Sequence, residues 1–344
     1  MTAGPFRPGR DLNRGFYRDA VEPLLQGLSH AAGLLGWGSD VLGYDTARST
    51  DHGWGPRLVV LVGAADLAAG RSRLDALPTT YAGWPVRYGW DDVRVHHHVT
   101  VSTLERWLID QIDVQPSALD AVGWLLVPQH RLLGVVSGEV YADQTGALGR
   151  VREQLAWYPD PVWRWLLACQ WQRIGHEEPF IARTAEVGDQ LGSAVVAARL
   201  ARDAMRLALL QVRRYAPYTK WLGTAFAELG HEDGLDRDLA VCVAATDVAA
   251  RQEAMTRALE SLARRHNALG LTEPLDPLRR AFHTRPVELI RCRRFVDALL
   301  DTVADPVLRG LPLVGSVDQL TDSTDLLDRP ALARRLATLY GRSS

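Results

Sequence analysis

The stretch Gly36-Trp37-Gly38-Ser39-Asp40-Val41-Leu42-Gly43-Tyr44-Asp45, running on to Ser49-Thr50-Asp51-His52-Gly53-Trp54-Gly55-Pro56-Arg57, decides the fold. An apolar run, Ala31 to Trp37, leads into the Gly-Ser pair and an acid, and a second apolar run, Leu58 to Val62, comes after the loop. That order predicts strand, tight turn, polar loop, strand. A Gly-Ser turn can present backbone N–H groups to a phosphate, and the acid in this stretch sits where a metal could be held.

Upstream, Asp11 to Leu28 carries Phe16, Val21, Leu24, Leu25 and Leu28 at helical spacing and predicts a helix. Downstream, Ala65 to Ala76 reads as a polar helix or loop stopped by Pro78, Trp84 to Tyr88 and Val93 to Ser102 as alternating strands, and Thr103 to Ile112 as a helix. Residues 1–115 are therefore expected to form one α+β or α/β domain. After residue 115 the pattern turns helical: Gly146 to Leu155, Pro161 to Ile174, Leu191 to Tyr215, Leu235 to His266, Pro286 to Val303, and a last helix from Pro330 to about Tyr340. Glu139 to Tyr141 is a candidate strand beside the first domain. The expectation is an α+β chain, with a mixed sheet and helices in 1–115 and a mostly α-helical domain in 116–344.

Composition excludes several classes. The net charge of −2 gives no bulk attraction to nucleic acid or to an anionic membrane, and no basic stripe marks a nucleic-acid module. No run of eighteen apolar residues is present, so no membrane span is expected. Met1 to Arg10 has no apolar core of a signal peptide. Cys169, Cys242 and Cys292 are odd in number, far apart and set in apolar runs, which predicts reduced core thiols in a cytoplasmic protein. Lys220 is the single lysine among 39 basic residues, so its position draws notice.

The chain resembles the DUF4037 family, whose N-terminal domain is nucleotidyltransferase-like. The matching residues are Gly38 to Asp45, Asp51 to Arg57, Tyr158-Pro159, Gly188-Asp189 with Gly192-Ser193, and Arg214 to Trp221. The wider polymerase-β-like nucleotidyltransferase superfamily is implied by Gly-Ser followed, about ten residues on, by Asp-x-Asp. That resemblance implies an enzyme that holds a nucleoside triphosphate and Mg²⁺ against a small-molecule acceptor, with Gly38 and Ser39 at the phosphates. Two acids at i and i+2 on a strand point to one face, where they clamp metal ions for in-line displacement at phosphorus, and a third acid from a neighbouring strand completes the set. Here Asp51 takes the first position, Gly53 stands at the second, and the strand Val93 to Ser102 carries no carboxylate. The metal site is therefore depleted.

Three replacements suggest themselves. His96 and His98 share one strand face; if that strand borders the strand of Asp51, two imidazoles and one carboxylate could converge on Fe, Zn or Mn. Alternatively the histidines bind phosphate or move protons without metal, or are solvated strand residues. In the helical half, Lys220 with Tyr218 is the best anionic clamp by resemblance, and Glu186 or Asp189 is a candidate general base, with helix capping before Leu191 as the structural alternative. Arg57 suits a phosphate contact or an ion pair equally. Asp40 and Asp45 are acids that turn roles would also explain. Trp37 and Trp54 are expected to pack under the loop, with base stacking as the other role. Trp163, Trp165 and Trp171 lie in one predicted helix, where core packing accounts for them. Three functions are open: a nucleotidyltransferase-like enzyme with a depleted metal site, a small-molecule tailoring enzyme using His96 and His98 with Asp51, and a non-catalytic nucleotide- or ligand-binding protein.

Overall fold

The computed structural model describes residues 4–285 and 287–342. Its contacts divide the chain into two compact units. The first gathers the residues through Leu119 together with His130–Ala156, and the second gathers Asp120–Gln129 and the residues from Trp157 onward. The sequence suggested a single division near residue 115; the chain instead changes unit after 119, 129 and 156.

The strands of the first unit are β1 (His30–Leu34), β2 (Arg57–Val62), β3 (Thr80–Tyr81), β4 (Trp84–Pro85), β5 (Arg87–Trp90), β6 (Val93–Ser102) and β7 (Glu139–Asp143). Five of them form a mixed sheet in the order β5-β6-β2-β1-β7, and β3 and β4 make a separate two-stranded ribbon. β2 and β6 are parallel, with Arg57 beside His98; the other pairs in the sheet are antiparallel. β7 is the strand expected near Glu139, and it borders β1.

Side chains alternate across a strand, so each strand feeds two faces. Leu58, Val60 and Val62 of β2 and Val99 and Val101 of β6 point into a core with Phe16, Val21, Leu25 and Leu74. Arg57 and, beside it, His98 therefore lie on the opposite face. The N-terminal helix expected over Asp11 to Leu28 is a shorter α-helix, Gly9–Phe16, continued by one π-turn, Tyr17–Val21, and one 3₁₀ turn, Glu22–Leu25. Pro23 lacks the N–H that a regular α-helix would use there, so the winding changes.

One expectation fails where it matters most. Asp51 is not on a strand. It ends a 3₁₀ turn, Ala47–Asp51, and β2 begins only at Arg57. Gly53 at φ +61° and Pro56, which has no N–H to give to a ladder, keep the intervening backbone out of the sheet.

The second unit is helical. Its long helices are Asp160–Glu177, Gln190–Gln211, Val248–Ala268 and Arg293–Thr302. The long pattern from Leu235 is two helices, because Asp247 caps Val248–Ala268 through the N–H of Ala250. In the expected segment Pro286 to Val303 the helix covers Arg293–Thr302, and Pro286 lies outside the described residues. Trp163, Trp165 and Trp171 are buried, as core packing requires. Trp171 stacks on Phe295 with centroids 4.6 Å apart, and Trp163 donates Nε1–H to the Leu210 carbonyl at 2.7 Å. Glu178, buried at the end of Asp160–Glu177, accepts the backbone N–H groups of Ile290 and Arg291. Cys169, Cys242 and Cys292 are buried free thiols. No described helix is long and apolar enough to cross a membrane.

Candidate functional site

The Gly-Ser corner is built around a buried ion pair. Arg57 donates Nε–H to Asp40 Oδ2 at 2.9 Å and Nη2–H to Asp40 Oδ1 at 2.6 Å, and Nη2 also reaches the Trp37 carbonyl at 2.6 Å. Asp40 is 1 % exposed. The forked geometry of guanidinium and carboxylate uses both carboxylate oxygens, so Asp40 has little left for a metal, and it engages Arg57 through Nε and Nη2. Of the two roles expected for Arg57, the ion pair is present. Gly38 sits against it at φ +122°, and a Cβ there would collide with Arg57 Nη2 and Asp40 Oδ1, so only glycine fits the corner. Ser39 comes next, as the first residue of a four-residue helix, Ser39–Leu42.

Two residues hold the loop in place. Asp45 accepts the N–H of Gly9 at 2.7 Å and Trp54 Nε1–H at 2.9 Å. Asn13, fully buried, donates to the Gly9 and Gly55 carbonyls and accepts the N–H of Arg57 at 2.7 Å, pinning the start of β2. Trp54 is buried against Trp84 and Phe6, as expected. Trp37 is not; it is 54 % exposed.

The positions meant for metal ligands are occupied otherwise. The Asp51 carboxylate faces its neighbour, 2.8 Å from His52 Nδ1, and both side chains are largely exposed. A Cβ on Gly53 would lie 2.9 and 3.0 Å from the six-membered ring of Trp37 and 3.7 Å from Trp90. The place of the second acid is therefore against the six-membered rings of two indoles. Among the described residues no group of three or more His, Cys, Asp or Glu side chains is arranged to hold a metal ion. Asp51, His96 and His98 thus do not converge: Asp51 lies in the turn ahead of β2, and the histidines are engaged on β6. Two Mg²⁺ ions do not fit this donor set, because one carboxylate is consumed by Arg57, one faces His52 and the third position is glycine.

What stands there is an aromatic face. β5 pairs with β6 so that Tyr88 lies opposite His96, and Trp90, two residues on, falls on the same side of its strand. Ring centroids run Trp37 to Trp90 at 6.3 Å, Trp90 to His98 at 5.0 Å and His98 to His96 at 4.0 Å, with Tyr88 4.2 Å from His98. The Arg57 guanidinium lies 4.9 Å from the Trp37 ring centroid. His98 Nε2 is 2.9 Å from the Tyr88 carbonyl. A carbonyl only accepts, so Nε2 carries the hydrogen. Burial, with the Arg57 guanidinium nearby, holds His98 below the usual histidine range, so at pH 7 it is neutral and its Nδ1 is an acceptor. His96 donates Nδ1–H to the Arg94 carbonyl at 2.7 Å. The Tyr88 hydroxyl is buried without a hydrogen-bond partner among the described residues, and burial raises it far above the ordinary tyrosine range. Tyr88, Trp90 and Asn13 carry no motif that marks them in the sequence. A polar Asn13 beside Leu12 in an apolar helical pattern was the one available signal.

The remaining candidates lie in the second unit. Asp189 caps Gln190–Gln211 by accepting the Gly192 N–H at 2.7 Å, which is the capping role. Glu186 is ion-paired with Arg285. Lys220 Nζ lies 4.9 Å from the Trp221 centroid, and Tyr218 Oη accepts Trp221 Nε1–H at 2.7 Å.

The chain is thus an α+β protein whose mixed sheet carries a Gly-Ser corner and an aromatic face. Residues 124–222 match the family model described as "Domain of unknown function (DUF4037)", so the family resemblance read from the sequence holds over that segment. A solved nucleotidyltransferase-like protein from Exiguobacterium sibiricum 255-15 aligns over 85 % of this chain and 89 % of its own, at 12 % identity and a TM-score of 0.35. No curated protein matches the sequence.

Proposed function

We propose that the first unit binds a small molecule bearing a planar, hydrogen-bonding ring of nucleobase type, and that it does so without two-metal nucleotidyl transfer. The observation that carries this reading is Gly53, where a metal-binding acid would stand, set so that any side chain there would meet Trp37 and Trp90. Aromatic rings hold bases by stacking at about 1–3 kcal/mol per base, with little demand on base identity. Trp37 offers an exposed indole stiffened by the Arg57 guanidinium, and His98 Nδ1 offers an acceptor for a ring-edge N–H. The choice of a nucleotide as first ligand comes from the family resemblance. Calorimetry with ATP, CTP, GTP and UTP, with Mg²⁺ and with EDTA, tests it: binding of at least one is expected in EDTA. Failure of all four to bind would refute it.

A second reading is metal-free acid–base chemistry on the bound molecule. It is supported by the adjoining pair His96 and His98, tilted against each other, each with one ring nitrogen committed to a carbonyl. Turnover of a bound ligand that survives EDTA and is lost in His98→Gln would favour it over binding alone.

A further inference from the structure

The strand β6 is paired in two halves. β5 accompanies it no further than Arg87 opposite His97, and β2 takes over from His98 to Ser102. From His98 onward β2 is its one partner among the described strands, so the other edge is open there. A cavity of about 550 Å³ lies beside that stretch. Val99 and Val101 border it from one face of β6 and His96 and Thr100 from the other, and no residue of β2 does. It therefore follows the free edge of the strand and not either face. Its other wall is the helix Leu67–Leu74 and the residue after it, through Arg71 and Asp75.

Those two side chains are opposite in charge, and neither has an ion pair among the described residues. Arg71 reaches the Val101 carbonyl through Nη2 at 3.4 Å. The Asp75 carboxylate accepts no hydrogen bond among the described residues, because Arg87 is engaged with the Leu77 and Asp75 carbonyls instead. Burial and the Arg87 guanidinium hold His97 below the usual histidine range while the Asp75 carboxylate pulls the other way, which sets that carboxylate toward His97. The cation thus stands at the Val101 end of the open edge and the anion at the His97 end. Four steps along the strand are about 13 Å, and four along the helix about 6 Å. Three extended residues reach about 10 Å, between the two. An extended backbone also brings the N–H and C=O groups that an open strand edge lacks.

We infer that this cavity binds a short peptide of two or three residues with free termini, its main chain added to the edge of β6 at Val99–Val101, its carboxylate on Arg71 and its ammonium facing Asp75. The peptide runs parallel to β6. The site requires neither a nucleotide nor Trp37, so it stands apart from the function proposed above. Recognition through the main chain and the termini tolerates many side chains, which makes trialanine the probe. Titration calorimetry on the full chain is expected to show saturable binding of trialanine at one site. N-acetyl-trialanine, which lacks the ammonium, and trialanine amide, which lacks the carboxylate, should each bind about tenfold or more weakly than the free peptide. Arg71→Gln should weaken trialanine by a similar factor and leave the amide unchanged. Asp75→Asn should weaken trialanine and leave the N-acetyl form unchanged. Both side chains are exposed, so the fold tolerates either exchange. Absence of saturable trialanine binding, capped forms binding as tightly as the free peptide, or undiminished binding in both variants would overturn the inference.

Discussion

Asp40 and Arg57 show how one buried ion pair accounts for two residues that each had another candidate role. Each was a plausible contact for a metal or a phosphate when considered alone. Both are buried, and together they satisfy each other in a fork. Removing one partner leaves the other charged in an apolar setting, which typically costs about 3–5 kcal/mol. Asp40→Ala is therefore expected to lower unfolding stability by that amount in urea titrations, whereas Asp51→Ala, an exposed side chain, should change it little. Gly53 supplies the complementary test. Its φ of +61° and its contact with Trp37 leave no comfortable place for a side chain, so Gly53→Asp should destabilise the protein by about 1–3 kcal/mol and add no Mg²⁺ affinity. A gain in Mg²⁺ affinity, read by titration calorimetry, would show that the pocket geometry differs from the one described. The pairing of Asp40 with Arg57 was not legible in the sequence because seventeen residues separate the two. The glycine at position 53 was legible as a missing acid, but not as a seat for two tryptophans.

At the scale of elements, β6 was legible to the residue, because Val93 to Ser102 alternates cleanly and ends at the cap Thr103. β2 was legible as well, but its approach was not. Extending the strand back to Asp51 ignored the Gly-x-Gly-Pro sequence that keeps the backbone out of the ladder. In the second unit, Glu178 joins the end of one helix to the backbone at Ile290 and Arg291. Burial pushes its carboxyl up to about 7, against the hydrogen bonds that favour the anion. A raised native value means that the folded state holds a proton the unfolded state has released. The stabilisation is complete below the unfolded glutamate range near pH 4.5 and is lost as pH rises through about 7. Stability should therefore fall by up to about 1.4 kcal/mol per pH unit across that window from this group. Glu178→Gln should flatten that part of the pH profile; an unchanged slope would assign it to other groups.

For the whole molecule, the α+β class, the mixed sheet and the helical remainder are dictated by the periodicity of the chain. The point where the chain leaves the first unit is not, because the return through His130–Ala156 depends on β7 pairing with β1 across more than a hundred residues. The net charge of −2 gives no field to gather polyanions. Duplex DNA or RNA at physiological salt should accordingly produce no mobility shift at micromolar protein.

The central claim is that indole rings have taken over the place of metal-binding acids. It is tested most directly by measuring the affinity of the best-bound nucleotide in EDTA and in Mg²⁺, for the wild-type chain, Trp37→Ala and Asp51→Asn. Equal wild-type affinity in both buffers, a loss of about tenfold or more in Trp37→Ala and no change in Asp51→Asn are the expected results. Binding that requires Mg²⁺ and disappears in Asp51→Asn would contradict the account.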